Sequence, residues 1–322
     1  MPYRLGTMRG LTACASAAGT FTILALDHRQ NLRKELRPDA PESVTYDEMV
    51  ALKQTVVRSL STDATGTLLD PEIGAGQAIA AGSLPAAGGL IVAIEATGYE
   101  GSPADRRSRV LPDWSVAKAK RLGASAAKLL VYYHPDAPGA SDQERLVEGV
   151  ARECGEHDLA LFVEPLSFGL DGRPLVGEER RRVVIETARR LTRMGPDVLK
   201  AEFPYDSSVE DPQRWLEACE ELDAASPVPW VLLSGGVEDA VFEGQVEAAC
   251  TAGASGVLVG RSVWAGAARL SGAERDRWLA TEGRSRLARL VELVDRLGRP
   301  WRERWLAAKP TEPPAENWYR GY

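Results

Sequence analysis

Residues 197–204 read "DVLKAEFP". Val198 and Leu199 open an apolar run of strand character, and Lys200 stands inside it. Lysine is almost never fully buried unless it is paired or at work. Runs of the same kind recur along the chain: "TFTILALD" (20–27), "GTLLDPE" (66–72), "GGLIVAIEATG" (88–98), "AAKLLVYY" (126–133), "LALFVEPL" (159–166), "PWVLLSGGV" (229–237) and "SGVLVGRSVW" (255–264). "DVLKAEFP" is the sixth of eight. Near-continuous apolar runs suit strands covered on both faces, as in a parallel sheet.

The stretches between them have helical period. In 141–157, Ser141 and Glu144 have capping-box spacing, and Leu146, Val147, Val150 and Cys154 share a face. Residues 177–194 are Arg-rich on one side and carry Val183, Val184, Ala188 and Leu191 on the other. Segments 211–225 and 238–252 behave similarly. Eight βα units in 322 residues predict an α/β fold, a (β/α)8 TIM barrel of one domain. A doubly wound sheet would not readily account for eight strands spread so evenly. The barrel is expected over 1–308. A Pro-rich, then aromatic tail, 309–322, reads as an arm over the barrel or a neighbouring subunit, or as loose chain.

Hydrophobic residues make up 44% of the chain, enough for a large core, and charged residues 26%. Lys and Arg total 39 against 46 Asp and Glu, a formal charge of −7. That balance argues against broad attraction to nucleic acid or membrane, and an anionic substrate would need a local basic pocket. Cys14, Cys154, Cys219 and Cys250 are scattered without zinc spacing, and buried free thiols are expected. The sequence shows no signal peptide and no run of eighteen apolar residues, so the cytoplasm is the expected location.

In such barrels the chemistry sits at strand C-terminal ends and the loops after them. Read there, the strands supply Asp27 and Arg29, Asp70 and Glu72, Glu95, Lys128, Glu164, then Lys200 and Glu202. Lys128 and Lys200 would point into one barrel, among Asp27 and Glu164. A desolvated lysine near a second cation loses basicity and can attack a carbonyl as a neutral amine. The competing reading is a buried lysine held in a salt bridge. Ser234-Gly235-Gly236 after the seventh run and Gly260-Arg261 after the eighth suit a phosphate site: glycine lets backbone N–H groups approach and arginine adds a forked contact. His28 could touch substrate, cap or pack. The three histidines form no cluster, so a His-based metal site is not expected. Asp70, Glu72 and Glu95 could in principle bind magnesium, but salt bridges are the preferred reading.

The ordered motifs "LALDHR", "LLDPE", "EATGYEG", "KLLVYYHPD", "DVLKAEFP", "LLSGGV", "GVLVGRSVWAG" and "RWLATEG" resemble the class I tagatose-1,6-bisphosphate aldolase family. That family is related to sulfofructose-phosphate aldolases and belongs to the wider deoxyribose-phosphate aldolase superfamily. The resemblance implies a TIM barrel that cleaves a ketose phosphate through a lysine imine, without metal or other cofactor, as a homodimer or homotetramer. It implies Lys200 as the imine-forming lysine, Glu164 as the acid/base, and Lys128 and Asp27 as polar groups around the substrate. Ser234, Gly235, Gly236, Gly260 and Arg261 correspond to the site for the C1 phosphate, and Arg29 to a contact for the distal anion. The first-strand motif of the family usually reads aspartate–glutamine–arginine, whereas this chain has Asp27-His28-Arg29-Gln30, and the connection 167–196 is shorter. Both differences touch the distal end of the substrate. Three functions follow as alternatives: a hexulose bisphosphate aldolase, an aldolase for 6-deoxy-6-sulfofructose 1-phosphate or another C6-modified ketose phosphate, and a non-catalytic sugar-phosphate-binding barrel.

Overall fold

The structure, a computed structural model, describes residues 4–322. Its strands are β1 (Phe21–Leu26), β2 (Gly66–Leu69), β3 (Gly89–Ala93), β4 (Glu100–Ser102), β5 (Asp105–Arg107), β6 (Ala126–Tyr132), β7 (Ala160–Leu166), β8 (Val198–Ala201), β9 (Trp230–Leu233) and β10 (Gly256–Val259). Eight of them close a parallel barrel in the order β1-β10-β9-β8-β7-β6-β3-β2, with helices between. This is a (β/α)8 barrel, and each of the eight apolar runs contributes one barrel strand. Lys200 lies in β8, in register with Val231 of β9.

Strand alternation explains how an apolar run can carry a working charge. Phe21, Ile23 and Ala25 of β1, Ala160 and Phe162 of β7, and Val198 of β8 belong to the cluster inside the barrel. Leu24, Leu26, Leu161, Val163 and Leu199 pack outward against the helices. Successive side chains face opposite sides of a strand. Two residues further along the inward rows stand Asp27, Glu164 and Lys200, and Lys128 follows Ala126 in the same way. The barrel is therefore apolar below and charged at its C-terminal rim.

The lower end is stoppered. The helix Trp301–Ala308 sets Trp301 against Phe21, ring centroids 6.3 Å apart, and Trp305 against Trp301 at 5.9 Å. Trp305 Nε1 donates to Asp197 Oδ1 at 2.9 Å, and Asp197 Oδ2 accepts from the Leu161 N–H. At the tail, Lys309 Nζ also reaches Asp197, and the Tyr322 hydroxyl bonds Asp158. All four cysteines are buried and free. Among the described residues no helix is long and apolar enough to cross a membrane.

Two local expectations are corrected, and one element is added. The helix predicted over 141–157 runs Ala140–Glu156 without a side-chain cap; Glu144 accepts from the Tyr133 hydroxyl instead of closing a capping box with Ser141. The eighth run is strand only to Val259, and Arg261 opens the helix Arg261–Ala268. After β3 the chain forms the antiparallel hairpin β4–β5, which the sequence pattern does not signal.

Candidate active site

A cavity of about 630 Å³ opens at the C-terminal ends of the strands, within the range of small-molecule sites. Asp27, His28, Arg29, Lys128, Glu164, Lys200, Ser234, Gly235, Gly236, Gly260 and Arg261 all line it. At its floor lies a chain of ion pairs. Lys128 Nζ is 2.8 Å from Asp27 Oδ2, 2.8 Å from Glu95 Oε1 and 2.7 Å from Glu164 Oε2. The other oxygen of Glu164, Oε1, is 2.7 Å from Lys200 Nζ. Lys128, Glu95, Lys200 and Glu164 are all buried.

Burial opposes each of these charges, and the partners overcome it. It would lower Lys128, yet Asp27, Glu164 and Glu95 push the ammonium well above its ordinary value. Burial would raise Asp27 and Glu164, yet Lys128 and Lys200 hold both carboxyls below the usual range. Glu164 therefore rests as a carboxylate able to receive a proton. Its Oε2 also lacks an aligned hydrogen bond.

Glu95 is more central than its sequence reading as a barrel-closing salt bridge: besides Lys128 it accepts from the Leu130 N–H at 3.0 Å. Glu202, expected to share the inward face with Lys200, does not reach the amine. It accepts from the Ser167 N–H and pairs with Arg180, because β8 ends at Ala201 and the alternation stops there. Asp70 pairs with the buried Lys53 of the helix Tyr46–Leu60. Among the described residues no group of three His, Cys, Asp or Glu side chains is placed to hold a metal ion.

The loops after β9 and β10 meet beside this chain. Gly235 and Gly236 have φ of +55° and +80°, a left-handed path that side chains disfavour. Gly236 must also be bare: a Cβ there would lie 2.5 Å from Arg261 Nη2. Ser234 Oγ accepts from the Gly260 N–H at 3.3 Å and ties the two loops together. Arg261 is the first residue of its helix, beside Glu35 at 3.3 Å. The result is a basic, backbone-rich concavity suited to an anion. His28 packs edge-on against Trp264, ring centroids 5.2 Å apart. Burial lowers its imidazole to about 4, so it is neutral at pH 7. Arg29 is anchored twice, with Nη1 donating to Glu72 Oε2 at 2.6 Å and Nη2 to the Glu95 carbonyl at 2.7 Å.

Known proteins share this architecture over most of the chain. Tagatose 1,6-diphosphate aldolase 1 of Streptococcus mutans serotype c is 30% identical over 310 residues, covering 89% of this chain and 94% of that protein. Tagatose 1,6-diphosphate aldolase 2 of Streptococcus pyogenes serotype M3 is 29% identical, covering 90% and 95%. A solved Schiff-base-forming fructose-1,6-bisphosphate aldolase superposes with a TM-score of 0.59 at 22% identity, over 90% of this chain and 99% of that one, a likeness of fold. The model of the DeoC/LacD family aldolases matches residues 21–266, from the first residue of β1 into the helix after β10. With that span matched, the chain belongs to the DeoC/LacD family and is an aldolase.

Proposed function

We propose that the protein is a class I, metal-independent aldolase that cleaves a ketose 1-phosphate of the tagatose or fructose 1,6-bisphosphate type into dihydroxyacetone phosphate and an aldehyde. The observation that carries this reading is the chain Lys200–Glu164–Lys128–Asp27 beside the anion cradle in one cavity. The names of the curated relatives support the bisphosphate, and the Schiff-base neighbour supports the imine.

Ser234, Gly235, Gly236, Gly260 and Arg261 hold the C1 phosphate. Glu164 takes a proton from the Lys200 ammonium, and the free amine attacks the C2 carbonyl. Glu164 returns that proton to the carbinolamine hydroxyl, which leaves as water, and an iminium ion remains. Glu164 then removes the C4 hydroxyl proton, the C3–C4 bond breaks, and its electron pair moves into the iminium to form an enamine. The aldehyde departs. Protonation at C3 and hydrolysis of the imine release dihydroxyacetone phosphate and restore Lys200. Lys128, kept cationic by three carboxylates, fixes Asp27 and Glu164 and offers hydrogen bonds to substrate hydroxyls. The phosphate anchor supplies orientation away from the reacting bond.

The same proposal takes the enzyme to be cytoplasmic and a homodimer or homotetramer, which sedimentation would test. The decisive experiment is borohydride reduction with dihydroxyacetone phosphate. The adduct is expected on the peptide that contains Lys200. An unlabelled peptide, or cleavage retained by Lys200→Met, would overturn the mechanism.

A further inference from the structure

The hairpin β4–β5 carries a cation without an acid. Arg107 pairs with Asp105 at 2.8 Å, and Arg109 with Glu100 at 2.7 Å. Those pairs occupy the hairpin's own carboxylates. Arg106 meets no carboxylate among the described residues; its Nε donates only to the Pro103 carbonyl. Its guanidinium lies instead over three aromatic rings, Tyr99 at 4.9 Å, Phe168 at 5.2 Å and Tyr132 at 5.8 Å. Tyr132 lines the catalytic cavity. Contact with these rings sets a half-buried guanidinium, its charge unpaired with any acid, behind Tyr132 at the edge of the cavity.

The position of this cation in the barrel gives it meaning. The anion cradle sits after β9 and β10. Three strands away in either direction lie β3 and β6, so the hairpin after β3 and Tyr132 at the end of β6 stand on the opposite rim. A ketose anchored by its C1 phosphate and joined at C2 to Lys200 extends its remaining carbons toward that rim. Arg29, the arginine the resemblance assigns to the distal end, is already held by Glu72 and by the Glu95 carbonyl.

The geometry points to Arg106 as the residue that recognises a tetrahedral anion on C6 of the substrate, a phosphate monoester or a sulfonate. This assignment rests on the aldolase reading above and deepens it: the enzyme selects ketose 1-phosphates that carry a second, terminal anion.

The test compares three substrates, a ketose 1,6-bisphosphate, 6-deoxy-6-sulfofructose 1-phosphate and fructose 1-phosphate, on the full-length protein and on Arg106→Met. Loss of a charge-assisted contact predicts a rise of about 10- to 100-fold in KM for whichever doubly anionic substrate the wild type prefers. The constants for fructose 1-phosphate should stay within about twofold. The preferred substrate identifies the anion as phosphate or sulfonate. A variant that weakens all three substrates equally has only loosened the hairpin, and a variant that changes none has no role in recognition; either result overturns the assignment while leaving the aldolase intact. Failure of borohydride trapping at Lys200 would instead remove the reading beneath it. Should Arg106→Met misfold, Arg106→Lys carries the same comparison, with a smaller rise expected because the fork is lost and the charge kept.

Discussion

Replacing Gly236 by alanine should separate phosphate binding from chemistry. Two costs can be worked from the structure. The first is conformational: at φ +80° an L side chain costs about 1–2 kcal/mol. At an unfolding entropy of about 2.1 cal/mol/K per residue, 322 residues give about 0.7 kcal/mol/K, so Tm should fall by about 1.5–3 °C. The second cost is steric. The new Cβ would sit 2.5 Å from Arg261 Nη2 and 2.9 Å from its Cζ. Ordinary contact needs about 3.5 Å, so the guanidinium must withdraw by about 1 Å. Charge-assisted contacts of about 2.8 Å do not survive that displacement. Their loss is worth about 1.5–3 kcal/mol, or about 10- to 150-fold in kcat/KM. The phosphate is held alike in ground and transition states, so the loss should appear in KM while kcat stays within a few-fold. Steady-state cleavage assays give the split, and inhibition by inorganic phosphate should weaken in parallel. A large fall in kcat at unchanged KM would refute the assignment of these glycines and Arg261 to an anchor. So would an unchanged KM beside the expected fall in Tm.

Lys128→Met should unfold more easily by about 3–5 kcal/mol, because Asp27, Glu95 and Glu164 lose their common counter-ion; denaturant titration reads this, and the loss should shrink at acid pH as the carboxylates protonate. His28 titrates at about 4 when folded and about 6.5 when unfolded. The unfolded chain binds the proton first on acidification, so this histidine's contribution is present above pH 6.5 and is lost as pH falls toward 4. The gap is worth at most about 3 kcal/mol, and about 2 for a half-buried ring; His28→Gln should flatten that part of the pH–stability curve. Trp305→Ala should cost about 3–5 kcal/mol by opening the lower end and freeing Asp197, yet leave kcat nearly unchanged, since the site lies at the other end of the barrel. Cleavage should persist in EDTA; activity lost to chelation and restored by zinc would contradict the imine route.

The eight strands were legible because buried parallel strands leave dense apolar runs. Lys128 and Lys200 were legible because an ammonium group inside such a run has few reasons to be there. Glu95 was under-read: it lies two residues past Ala93, the end of β3, and only the closed barrel brings it to Lys128 from the neighbouring strand. Glu202 failed for the converse reason, since period two holds only while the strand lasts. The hairpin β4–β5 gave no signal because its strands are three residues each, polar and without a buried apolar residue. The predicted capping box had the right spacing, but Glu144 found a better partner in Tyr133, which is distant from it in sequence terms no local motif describes. The stopper of Trp301 and Trp305 likewise depends on the last helix folding back beneath β1, a long-range event.

Packed within and covered below, the barrel is a vessel with a single door. Whatever enters or leaves must pass the rim where the hairpin stands. In the proposed reaction the fragment joined to Lys200 lies inside, against the cradle, while the fragment cut from it faces the door. Departure therefore has a fixed queue: the aldehyde goes first, and the ketone phosphate follows only after water frees it. Run in reverse, the ketone phosphate must load before the aldehyde. The kinetic order of the proposed reaction is thus set by a packed barrel interior that leaves only one rim open.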